Sequence, residues 1–129
     1  MRQVPRVTRK DVLRVVRREF LADKRGTALK LLDGYDPGPG CRGRARVQLA
    51  ILKLSRGDIE QVRRYVRVAK TDFRDVIAPA EYPQFWEVGF VGVDRMNPAE
   101  VRRLKRDDWR QYQAWLAGDG EHHAHNHER

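Results

Sequence analysis

RARVQLAILKLSRGDIEQVRRYVRVAK, Arg44 to Lys70, is the stretch on which the fold turns. Wound as a helix, its first half puts Val47, Ala50, Ile51 and Leu54 on one side and Leu49 and Leu52 on the other. A helix that is apolar on two sides is buried between neighbours. Gly57 then ends it, and Asp58 followed three residues later by Gln61 has the pattern of a new N-cap. The spacing therefore predicts a tight helical hairpin that turns at Ser55 to Asp58, with the first arm the most buried helix of the chain. In the second arm Ile59, Val62, Val66, Ala69 and Phe73 share a face, while Arg63, Arg64, Arg67 and Lys70 point elsewhere.

Downstream, DFRDVIAPAEYP (Asp72 to Pro83) continues the apolar phase through Val76 and Ile77. The second arm either runs on to about Ala78 or restarts at Asp72, with Asp72 as cap and Asp75 in the first turn. Pro79 is expected to close it, and PAEYP to form a turn, because a proline disfavours helical geometry in the residue before it. The hairpin thus covers residues 44–78. QFWEVGFVGVDRMN follows, in which apolar residues alternate with glycines; with no second convincing strand to pair with, residues 84–97 read as an irregular apolar segment lying across the helices. Asn97, Pro98, Ala99 and Glu100 then supply cap, first-turn proline and acid in order, for a last helix ending at Gly118.

Upstream, Thr8 and Asp11 form a capping-box pattern that starts a helix at Arg9. Val12, Leu13, Val16 and Phe20 fall on one of its faces and Lys10, Arg14, Arg17 and Arg18 on the other. A shorter helix is expected over Lys24 to Asp33, stopped by a left-handed Gly34. The loop DGYDPGPGCRG (Asp33 to Gly43) has glycines but neither a GK[ST] sequence nor a preceding strand, so it is no phosphate-binding loop. The predicted fold is all-α: a compact bundle of about five helices in one domain, residues 1–117, followed by a disordered tail at 118–129.

A chain of 129 residues suits a single core. With 40% apolar and 35% charged residues it is too apolar to be disordered throughout, and no run approaches the roughly eighteen apolar residues that a membrane span requires. The N-terminus MRQVPRVTRK lacks the apolar core of a secretory signal, so a cytoplasmic location is expected. The lone Cys41 excludes an internal disulfide and reads as a spare loop thiol. His122, His123, His125 and His127 all lie in the tail, where no apolar residue orders them as metal ligands. Neither metal nor cofactor is expected.

The stretch Val47 to Pro83, through LAILKLSRGD and DFRDVIAPAEYP, resembles a group of small bacterial proteins known as uncharacterised open reading frames. That resemblance implies a compact helical domain and no particular chemistry. LKLSRGDIEQVRRYVRVA also resembles one helix-turn-helix unit of a tetratricopeptide array, without the 34-residue period.

Three functional readings follow. The first is a non-enzymatic helical module that binds another protein through Phe85, Trp86, Phe90, Trp109 and Tyr112, because aromatic residues dominate binding hot spots. The second uses the net charge of +9: Arg9, Lys10, Arg14, Arg17 and Arg18 would contact nucleic-acid phosphates without reading sequence. The third is an enzyme built on the carboxylates Asp72, Asp75 and Glu81, which could bind a metal but whose capping role explains them more cheaply. Asp108 stands apart, because it falls in the middle of the apolar face made by Val101, Leu104, Tyr112 and Trp115. A buried carboxylate needs an arginine or hydroxyl partner, or else a face open to a ligand, and an arginine is the expected partner.

Overall fold

The computed structural model describes residues 4–37 and 43–118, leaving out the side chain of Phe90; Cys41 and the four histidines lie outside the described residues. Those residues form an all-helical structure of seven helices: α1 (Arg9–Glu19), α2 (Ala22–Asp33), α3 (Arg44–Ser55), α4 (Ile59–Thr71), α5 (Arg74–Glu81), α6 (Pro83–Asp94) and α7 (Pro98–Ala117).

The centre of the molecule is α3, which packs against α1, α4 and α5. Leu49, Ala50, Ile51 and Leu52 are completely buried, as the two-sided apolar pattern requires. The hairpin turns where expected. Arg56 and Gly57 take positive φ in succession, +51° and +77°, which reverses the chain in two residues. Asp58 then starts α4, its Oδ1 accepting from the backbone N–H groups of Glu60 and Gln61 at 2.8 and 3.3 Å. Two buried polar residues of α3 are also accounted for. Buried Gln48 donates to the Leu32 carbonyl at 2.9 Å, and the Ser55 hydroxyl donates to Ile51 one turn back at 2.6 Å.

Both termini of the helical region behave as their local signals say. The Asp11 carboxylate accepts from the Thr8 N–H at 2.9 Å at the start of α1. At the start of α7 the Asn97 and Glu100 side chains each accept the other's backbone N–H, at 2.9 and 3.0 Å. Gly118 closes α7 at φ +88°.

Other expectations need correcting. Helix α2 begins at Ala22 rather than Lys24, and Gly34 is right-handed, because the end of α2 tightens into bonds from Gly34 to Leu31 and Tyr35 to Leu32. A Cβ at Gly34 would sit 3.0 Å from the Leu31 carbonyl oxygen, so the glycine serves close backbone approach instead. Leu13 and Phe73 are exposed, and Val15 takes a core place. The restart after Asp72 occurs, with Asp72 accepting the Arg74 N–H at 3.0 Å. Pro79 does not close α5 but sits inside it, at the cost of the single bond its nitrogen would make to the Asp75 carbonyl.

The largest correction concerns residues 84–97. Most of this segment is helix α6, broken at Gly89, whose φ of 75° and ψ of 173° divide it into two pieces. With α6 resolved, the helices outnumber the five expected.

Candidate functional site

The region between the end of α5 and the middle of α7 explains why α6 is helical at all. The first four N–H groups of a helix have no partner within it. Here Pro83 has no N–H, and Trp86 bonds to the Tyr82 carbonyl at 2.9 Å. The two that remain, Gln84 and Phe85, both donate to Asp108: Gln84 to Oδ1 and Phe85 to Oδ2, each at 3.0 Å. A carboxylate from α7 thus serves as the N-cap that Tyr82 cannot provide.

The expected arginine partner of Asp108 is therefore replaced by two backbone amides. Wheel geometry correctly predicts its burial, at 1% exposure. Three residues on, Gln111 faces the same joint. Its Nε2 lies 3.2 Å from the Ala80 carbonyl, 3.3 Å from that of Glu81 and 3.0 Å from that of Asp108. One turn of α7 thus satisfies orphan carbonyls at the end of α5 and orphan amides at the start of α6.

Behind this joint is a buried polar cluster. Arg46 on α3 makes a bidentate pair with Glu81, Nε to Oε2 and Nη2 to Oε1, both at 2.7 Å. The hydroxyl of Tyr112 is buried and has no hydrogen-bond partner among the described residues. Burial pushes its ionisation upward, helped by the Glu81 charge and opposed by Arg46. Lys53, also on α3, is largely withdrawn from water. Desolvation and then Arg56 push its pKa down to about 8, with Asp108 opposing.

On its outer side the joint leaves several apolar side chains of α6 exposed. By side-chain hydrophobicity α6 is the most apolar of the seven helices, yet none of its described side chains is buried. Among the described residues its main packing is against α5 and α7, at the edge of the structure. Trp86 is 52% exposed, Val91 68% and Val88 38%. Phe85 is half-buried, edge-on to Tyr82 with 6.0 Å between ring centroids, and the Lys105 ammonium lies 5.6 Å from its ring centre.

Of the aromatic residues singled out by sequence, Phe85, Trp86 and the half-buried Trp109 reach the surface of this α6–α7 edge. Tyr112 does not. It is fully buried, packed beside Trp115 at 5.7 Å, and belongs to the core. The side chain of Phe90 lies outside the described residues. Sequence reasoning did not single out Val88, Val91 and Lys105, whose place depends on the break at Gly89 and on the docking of α7.

The basic stripe of α1 is largely engaged within the molecule. Arg9 forks onto Asp33 at 2.9 and 3.2 Å and reaches Gln48 at 3.2 Å. Arg14 meets Asp11 at 3.3 Å. Arg18 pairs with Glu19 at 3.0 Å and lies over the Trp115 ring. Among the described residues only Lys10 and Arg17 of the five lack an ion pair, so fewer of these cations are available to phosphates than the sequence suggests. The carboxylates do not converge either. Asp72 spends its oxygens on Arg74, at 2.9 and 3.0 Å, Glu81 spends both on Arg46, and Asp75 is exposed. Among the described residues no three His, Cys, Asp or Glu side chains are grouped to hold a metal ion, and no helix is long and apolar enough to cross a membrane.

The chain matches no protein-family model, no curated protein and no solved structure.

Proposed function

We propose that this protein is a helical interaction module that binds another protein chain through the α6–α7 edge, with Trp86, Val88 and Val91 as the apolar centre and Phe85 and Trp109 beside it. One observation carries the reading: the most apolar helix of the fold buries none of its described side chains. Burial of apolar surface stabilises by about 25 cal/mol per Å², so leaving such a helix at the edge forgoes stability that a partner would recover. The aromatic content fits the residue types that anchor interfaces. The joint beneath is rigidly held by Asp108 and Gln111, which lowers the ordering cost of docking.

Site-specific photo-crosslinking tests this reading. A benzophenone amino acid placed at Trp86 in cells that make the protein is expected to give discrete adducts. The same group at Leu21, an apolar residue 76% exposed on the first inter-helix turn, is the control. Equal labelling from both positions, or none from position 86, refutes the proposal.

A further inference from the structure

Resting on that reading, we infer that the partner covering α6 is a second copy of the same chain, joined through a two-fold contact of the α6–α7 edges. The distribution of charge around the apolar centre carries the inference. Helix α6 contains only acids among its ionisable residues, Glu87 and Asp94, and both are exposed. The neighbouring flank of α7 has the opposite sign. Lys105, whose ammonium lies against Phe85, shares one arc of about 100° with Arg102, Arg106 and Trp109, whereas the exposed acids Glu100 and Asp107 fall on the far side of the helix.

By residue type the edge is thus acidic along α6, up to the exposed Arg95 that follows it, and basic along this flank of α7. A patch divided in this way is complementary to itself under a two-fold rotation, which is the condition an isologous interface must meet. Rotation sets Glu87 and Asp94 of each copy against the basic flank of α7 in the other, while the apolar residues meet between them. An acidic partner would complement only α7 and leave the α6 carboxylates facing like charge. A basic partner would have the reverse defect. Elsewhere the two chains, each with a net charge of +9, repel one another, which restricts association to this edge.

Sedimentation equilibrium on the purified full chain tests the inference. The wild type is expected to rise with concentration from 15.1 kDa toward twice that mass. Trp86→Ser, at a half-exposed site that leaves the core intact, is expected to remain at the monomer mass. Two charge-reversed forms supply the decisive arm: one carries Glu87→Lys and Asp94→Lys, the other Arg102→Glu, Lys105→Glu and Arg106→Glu. Each alone is expected to be monomeric, with wild-type helical circular dichroism, because both halves of its edge then have the same sign. Mixed in equal amounts they should restore the doubled mass, since each supplies the half that the other needs.

A wild type that stays at the monomer mass across the concentration range overturns the inference, as does a mixture of folded charge-reversed forms that fails to associate. The crosslinks from position 86 separate this failure from that of the broader reading. Adducts of twice the chain mass agree with self-association. Adducts of another mass retain the docking face and exclude the second copy, and the absence of adducts removes both.

Discussion

Removing the Asp108 carboxylate should release α6 from the rest of the molecule. Asp108→Ala strips the acceptor from the Gln84 and Phe85 amides, each held at 3.0 Å by a side chain that is 1% exposed. Hydrogen bonds to a charged group contribute about 1.5–3 kcal/mol each, which gives an upper figure of about 6 kcal/mol for the pair. Gln84 is exposed and Phe85 half-buried, so water can reach the freed amides and recover part of that energy. A net loss of about 2–4 kcal/mol is expected. Asp108→Asn should retain one bond and turn an amide donor toward the other N–H, giving a loss no smaller than half that of alanine. Urea denaturation measures the total, and hydrogen exchange locates it. Protection of amides 84–88 should fall in Asp108→Ala while amides 47–52 of α3 stay protected, because α6 packs mainly on α5 and α7 rather than on α3. A loss below about 0.5 kcal/mol, in the range of ordinary surface substitutions, with unchanged protection in α6 would refute the capping role.

Lys53 makes stability depend on pH. Its folded pKa of about 8 lies below the unfolded value of 10.5, so its favourable contribution is present above the unfolded value and lost as pH falls through 8. Between pH 8 and 10 the wild type should gain about 1–3 kcal/mol relative to Lys53→Met, and at pH 7 the methionine variant should be the more stable. Urea midpoints for both proteins at the two ends of that window check this, and a constant difference contradicts it. Glu81→Ala strands the Arg46 guanidinium; because Arg46 keeps 24% side-chain exposure, the cost should be about 3 kcal/mol, the lower end for a broken buried pair. A double-mutant cycle with Arg46→Ala should show strong coupling, and additivity would remove the pair from the account. Gly89→Ala meets no steric neighbour but forces alanine into a backbone region reserved almost wholly for glycine. It should cost about 1–3 kcal/mol by thermal denaturation, and wild-type stability in this variant would refute the break in α6.

Where structure is set by residues close in sequence, the chain can be read directly. Helix α7 is one case, since Asn97, Pro98, Glu100 and Gly118 lie at its own ends and place both boundaries. The turn at Arg56 to Asp58 is another. Burial of α3 follows from its own apolar pattern. Helix α6 illustrates the opposite situation. Its N-terminal amides are satisfied by Asp108, which lies 23 and 24 residues away, so the local sequence offers a proline, two glycines and no cap. A helical wheel gives the direction in which Asp108 points but not the element it meets, which is why burial was legible and the partner was not. The same limit divides the candidate site. Trp86 and Phe85 are conspicuous by residue type, whereas the fate of Tyr112 depends on which side of α7 faces α3 and α5.

The distant capping of α6 also has a consequence for the order in which the chain is made. Gln84 and Phe85 are added to the chain before the carboxylate that holds them, and at about 5–20 residues per second the intervening 24 residues take about one to five seconds to synthesise. During that interval PQFWEVGFVGVD has neither the Asp108 carboxylate for its leading amides nor α7 to lie against. The most apolar helix of the protein therefore waits on α7 for its cap, and a released chain truncated between residues 94 and 108 carries it as an uncapped apolar segment of the kind a chaperone captures.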